Sequence, residues 1–132
     1  MADVVFWQSN GYLNSMGPVF YDAVELKKLG VDVAIFFQGE AIAALAEGKC
    51  EWSPALAKYA TTIEENMKKM GFPSEPADYL KMCKAAGVPL YGSGGWSDLL
   101  GVREKLPPEI QVLEIPEAEK LIAEARNIIG GP

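Results

Sequence analysis

Gly30-Val31-Asp32-Val33-Ala34-Ile35-Phe36-Phe37-Gln38-Gly39-Glu40 is the segment on which the fold turns. Its apolar run from Val33 to Phe37 lacks the in–out alternation of a half-solvated strand. The pattern predicts a strand from Val31 to Phe37 that is buried on both faces. Such a strand needs helices above and below it, and helical signals stand on either side. Upstream, Ser15 to Leu29 reads as a helix. Pro18 suits its first turn, Val19, Phe20, Ala23, Val24 and Leu26 share one side, Lys27 and Lys28 suit its negative end, and Gly30 stops it. Downstream, the Gln38-Gly39-Glu40 loop leads into a short helix from Ala41 to Glu47, closed by Gly48.

The same alternation continues outward. Asp3 to Trp7 is a strand followed by a polar loop, Gln8-Ser9-Asn10-Gly11. Ser53-Pro54 is a helix start, and the stretch to Met70 reads as helical in two pieces, the second opened by the capping-box spacing of Thr62 and Glu65. Ser74 caps a helix from Ala77 to Ala86. Val88 to Tyr91 is a strand running into Gly92-Ser93-Gly94-Gly95 and a short helix around Ser97 to Leu100. After the Pro107-Pro108 break, Ile110 to Ile115 is a strand. Pro116 opens a last helix with Ala118, Leu121, Ile122, Ala125 and Ile129 on one face. There is no repeat or linker, so residues 1–132 are expected to form one α/β domain. Its architecture is a three-layer, flavodoxin-like or Rossmann-like parallel sheet of about four strands, with no more than a stub of a fifth.

Composition narrows the chemistry. The chain has 132 residues, a net charge of -6, no histidine and two cysteines. The acidic balance disfavours nucleic acid and anionic membranes as partners. No apolar run reaches the ~20 residues of a membrane span, and no export signal is visible, so a cytoplasmic location with reduced thiols is expected. Without histidine there is no Ser-His or Cys-His pair and no histidine-containing metal site; neither a metal nor a cofactor is expected.

In parallel α/β sheets ligands bind beyond the carboxyl ends of the strands. That places function in the loops Gln8 to Gly11, Gln38 to Glu40 and Ser93 to Trp96. The sharpest of these lies in Val88-Pro89-Leu90-Tyr91-Gly92-Ser93-Gly94-Gly95-Trp96-Ser97-Asp98-Leu99-Leu100-Gly101. Its glycines and helix start are suited to a small anion or ligand near Ser93 and Gly94. Gly92 and Gly94 also begin a Gly-x-Gly pattern, with Glu114 twenty residues after Gly94. That leaves a phosphate- or nucleotide-binding enzyme as an alternative, although Ser97 replaces the third glycine.

Here the chain resembles the DsrE/DsrF-like family of small sulfur-relay proteins. The resemblance rests on Val4-Val5-Phe6-Trp7, on the Gly30 to Glu40 segment with its paired aromatics and glycine-acid turn, on Met82-Cys83-Lys84-Ala85-Ala86-Gly87-Val88-Pro89-Leu90-Tyr91, and on Leu100-Gly101-Val102. It implies a sulfur-relay association and a homo-oligomer, a trimer or larger, with room for a further sulfur-metabolism partner. It also implies a cysteine just after the third strand to accept persulfide sulfur. Counting back from Gly101, that position here is Ser93, whose hydroxyl cannot hold a persulfide. The resemblance therefore points to a binding or assembly member without the usual carrier cysteine, and leaves enzymatic activity open. A purely structural subunit is the other alternative.

The candidate ligand-binding residues are Ser9, Asn10, Glu40, Ser93, Gly94 and Trp96. Glu40 reads first as a cap for the helix at Ala41 and second as a cation ligand. No catalytic residue is identified; Cys50 or Cys83 would qualify only if sulfur carriage survives. Cys83, on a helix beside Leu80, is expected to be an inert core thiol. Cys50, flanked by Lys49 and Glu51, is expected to be exposed and without a role. Trp52, Tyr59 and Phe72 are expected on a surface that a small core does not fully cover.

Overall fold

Parallel strands cannot be joined by a hairpin, so each must be reached through a crossover. The computed structural model describes residues 2–131 and shows that arrangement throughout. The strands are β1 (Val4–Gln8), β2 (Val33–Phe37), β3 (Leu90–Ser93), β4 (Gln111–Leu113) and β5 (Asn127–Gly131). They form one parallel sheet in the order β4-β3-β2-β1-β5. The helices are α1 (Leu13–Lys28), α2 (Glu40–Glu47), α3 (Ala60–Met70), α4 (Pro76–Ala86), α5 (Gly94–Leu100) and α6 (Ile115–Glu124).

Register decides which side chains share a face. Trp7 pairs with Phe36, Phe36 with Tyr91, and Tyr91 with Gln111. Successive side chains alternate, so Trp7, Phe36 and Tyr91 point one way and Phe6, Ile35 and Leu90 the other. The second group packs with Met16 and Phe20 of α1, Ile42 and Leu45 of α2, and Leu80 and Cys83 of α4. Phe20 anchors this core, its ring 5.7 Å from Phe37 and stacked 5.3 Å from Tyr79. Burying a side chain of that size contributes about 1.5–3 kcal/mol.

The other face is covered more thinly. Val5, Ala34, Phe36 and Leu113 are buried there, with Ala118, Leu121 and Ala125 of α6 packed against them. No residue of α6 is itself fully buried. A helix of ten residues is only ~15 Å long, and five strands span roughly 19 Å at their usual spacing. Clefts therefore remain on both sides of α6. One lies toward the carboxyl ends of the strands and the other toward their amino ends. Among the described residues no helix is long and apolar enough to cross a membrane.

The sheet has five strands rather than about four. The last helix stops at Glu124 instead of running on to Ile129, and Asn127–Gly131 pairs along the whole of β1. Without that pairing the outer edge of β1 would present a row of unsatisfied backbone groups. Ile128 and Ile129, β-branched, suit a strand better than a helix end. Smaller differences have local causes. β3 extends to Ser93, and β4 ends at Leu113 because Ile115 and Pro116 already begin α6. Thr62 and Glu65 lie inside α3, which starts at Ala60 after a 3₁₀ turn at Ala57–Tyr59. Ser53 opens no helix; its N–H donates to Asn14 Oδ1 at 2.9 Å. Glu75, not Ser74, holds the cap position of α4.

Candidate functional site

Ser93 sits where β3 becomes α5, on the thinly covered face. Its hydroxyl is already engaged: the Trp96 N–H donates to Ser93 Oγ at 3.1 Å. Ser97 Oγ, wholly buried, donates to the Ser93 carbonyl at 2.6 Å. Ser93 is thus the N-cap of α5, a role worth about 1 kcal/mol. Among the described residues it has no lysine, carboxylate or other base as a hydrogen-bond partner, so nothing activates the oxygen as a nucleophile.

Two glycines of this turn, Gly92 and Gly94, are required by packing. A Cβ on Gly92 would lie 2.8 Å from Ile110 Cγ2, and one on Gly94 would lie 2.8 Å from the Leu113 carbonyl oxygen. Protein atoms, not open space, face Gly94. The nearby cation is also occupied. Arg103 donates to both Asp98 oxygens, at 2.8 and 2.9 Å, and to Glu114 Oε1 at 2.6 Å. These bonds hold the Asp98 carboxyl below the usual range and raise the guanidinium further above its own. Glu114, the acid of the Gly-x-Gly reading, is therefore tied to Arg103, and its N–H donates to Glu117 Oε1 at 3.0 Å. A small anion would meet a paired arginine among several carboxylates.

Beside Ser93 the carboxyl-edge cleft forms a groove of about 280 Å³. Trp7 and Phe36 line its floor, Gln38, Ser93 and Trp96 its loop side, and Ile115 and Ile122 its α6 side. Trp96 is 41 % exposed and Leu99 78 %, leaving an apolar rim. Trp7 packs on Phe36 at 5.2 Å. Its Nε1–H is fully buried and among the described residues has no hydrogen-bond partner. Such a group costs about 1–3 kcal/mol and calls for an explanation. Glu119 is the one ionisable lining residue.

The structure brings together only part of the sequence-derived set. Ser93 and Trp96 line the groove. Ser9 is linked to it through Gln38, whose Nε2 donates to Ser9 Oγ at 2.8 Å. Asn10 turns back on its own loop, its Oδ1 accepting from the Tyr12 N–H at 2.8 Å. Glu40 is elsewhere, in a shallow cleft with Tyr12, Glu47 and Lys49. It makes no side-chain cap; Gly39 holds the cap position, at φ 55°. Glu40 occupies the first turn of α2, where its charge complements the helix dipole. Gln38 comes from a loop the sequence assigns to the functional edge, and Trp7 is readable from the sequence as pocket lining or as cover for the sheet; Ile115 was not singled out. A tryptophan one residue from the end of a central parallel strand was the available signal for Trp7.

Both thiols are suppressed. Cys83 is wholly buried, and its Sγ lies 3.6 Å from the Phe20 carbonyl; burial pushes its pKa up to about 12. Cys50 is half-buried rather than exposed, with its Sγ 3.8 Å from Met16 Sδ. Burial first, and then the Glu75 carboxylate, raise it to about 11. Neither lines the groove.

No protein-family model and no curated protein matches the chain. Solved structures do. The YchN protein from E. coli aligns over 97 % of this chain and 97 % of its own, with a TM-score of 0.66 at 16 % identity. The fold is DsrE-like. At that identity the likeness concerns the path of the backbone and not the chemistry carried on it.

Proposed function

We propose that this chain is a binding and assembly protein associated with sulfur relay or sulfur metabolism, which does not itself carry sulfur. It takes a small, largely apolar, uncharged molecule into the groove beside Ser93 and works as a homo-oligomer of three or more copies. The DsrE-like fold supports the association. The capped Ser93 and the two suppressed thiols support the absence of sulfur carriage. The observation that carries the ligand is the apolar groove itself, floored by Trp7 and Phe36 and walled by Trp96, Ile115 and Ile122, with Glu119 as its one ionisable lining residue among those described. The exposed side chains of Leu99 and Ile115 at the groove, and of Ile128 and Ile129 on β5, support self-association.

Native mass spectrometry of the purified protein tests both parts. The expected spectrum is an oligomer retaining a small-molecule mass, which is lost in Ile122→Trp, where the larger side chain fills the groove. A bare monomer at micromolar concentration would overturn the proposal.

A further inference from the structure

A second cavity, of about 330 Å³, lies on the opposite face between α1, α3 and α4. Four aromatic side chains from separate segments line it: Tyr21, Trp52, Phe72 and Tyr79. We propose that this cavity is a binding site for a small organic cation, a protonated amine carried on an apolar or aromatic body. The site uses no residue of the groove beside Ser93.

The cage is pre-set. Tyr21 and Phe72 meet edge to face at 5.4 Å and 72°. Tyr79 is stacked from behind on Phe20. Trp52 Nε1 donates to Glu64 Oε1 at 3.2 Å, which fixes the indole. Rings already held in place lose little freedom when a ligand enters.

Two features single this cavity out from an ordinary packing gap. Tyr79 is 3 % exposed, and among the described residues its hydroxyl has no hydrogen-bond partner. The phenol oxygen itself is not sealed off by the surrounding side chains, so it is free to accept from an ammonium N–H in the cavity. Gly17 stands beside it, in the interior of α1. A Cβ there would meet nothing closer than 3.8 Å, the nearest atoms being Leu13 Cδ1 and the Tyr79 hydroxyl. Alanine would fit and would strengthen the helix by roughly 0.5–1 kcal/mol. The glycine keeps that space open on the cavity wall instead.

Charge fixes the ligand class. Apart from the Tyr79 phenol and the half-exposed phenol of Tyr21, the lining has one ionisable group, the Asp22 carboxylate, and no lysine or arginine. Asp22 is exposed and forms no ion pair among the described residues. Glu64, bound to Trp52, adds a second carboxylate near the rim. Aromatic faces attract a cation through their quadrupoles, and the carboxylates reinforce that attraction. The same groups repel an anion.

The test titrates the intact protein with three probes of similar shape: phenethylammonium, phenethyl alcohol and phenylacetate. The signals followed are the Trp52 indole N–H and the Gly17 amide by NMR. Phenethylammonium is expected to saturate both at millimolar concentration, roughly three- to tenfold more tightly than the alcohol, with no saturation by phenylacetate. Asp22→Asn, at an exposed position that leaves the fold intact, is expected to bring the cation down toward the alcohol. Gly17→Leu, which fills the space beside Tyr79, is expected to abolish both. Equal binding of all three probes, no response to phenethylammonium, or unchanged binding in a folded Gly17→Leu would each overturn the proposal.

Discussion

Replacing Ser93 by cysteine puts a thiol at the strand-to-helix turn that the DsrE-like fold presents to the groove. Sulfur uptake requires a thiolate that attacks the outer sulfur of a persulfide donor; the donor's S–S bond breaks and its own thiolate leaves. At pH 8 a thiol raised to about 11, as Cys50 is, is ionised to the order of one part in a thousand. Cys83, at about 12, is tenfold lower still. An unperturbed thiol near ~8.5 is roughly a quarter ionised at that pH. The introduced group therefore holds about 200-fold more thiolate than Cys50. Its lower basicity makes each thiolate some tenfold less nucleophilic, which leaves a net advantage of about 20-fold before access is considered. The assay is incubation with a persulfide donor at pH 8, followed by intact-mass measurement of added sulfur. Loss of the Ser93 cap is expected to lower stability by about 1 kcal/mol without unfolding the chain. Ser93→Cys should load close to one sulfur while the parent protein remains nearly unmodified. Stoichiometric loading of the parent, lost in Cys50→Ser or Cys83→Ser, would refute the reasoning and show that a native thiol carries sulfur.

Alkaline pH should destabilise the protein. Cys50, Cys83 and Tyr79 all have raised pKa values in the fold, so above pH ~8.5 the unfolded chain releases protons that the folded chain retains. Their stabilising contribution is full below that pH and is lost as pH rises toward 11 and 12. Urea midpoints measured from pH 7 to 10 should fall, and a Cys50→Ala, Cys83→Ala double variant should show a flatter decline; identical slopes would disprove the linkage. Gly94→Ala should also weaken the fold, because the added methyl meets the Leu113 carbonyl at 2.8 Å and Arg103 Nη2 at 3.0 Å. A loss of about 1–3 kcal/mol is expected by thermal melting, and an unchanged midpoint would show that the β3–α5 turn yields freely.

Much of the fold was legible because its signals are local. Val33 to Phe37 announces a doubly covered strand without reference to the rest of the chain, and all five of its residues are buried. β5 was hidden for the opposite reason. Leu121, Ile122, Ala125 and Ile129 keep a helical period, and only the open edge of β1, more than a hundred residues earlier, draws Asn127–Gly131 into the sheet. The site divides in the same way. Ser93 and Trp96 stand out in a glycine-rich turn. Glu40 stands out as well, yet α2 carries it to a different cleft. The groove beside Ser93 depends on where α6 crosses the sheet, and the burial of Cys50 depends on Met16 from α1 and on Glu75 before α4. Neither distance can be read from residues adjacent in the chain.

The pairing of β5 with β1 also has a temporal side. Val4 finds its partner in Asn127 and Gln8 in Gly131, so β1 is completed by a strand made more than a hundred residues after it. During vectorial synthesis β1, α1 and β2 can collapse early, while the outer edge of β1 stays unzipped until Asn127–Gly131 has been made. Closing so large a loop is slow relative to forming the local βαβ units. Through that interval a nascent chain presents a ready docking edge to its neighbours, and crowded polysomes are where this molecule is most exposed to mispairing.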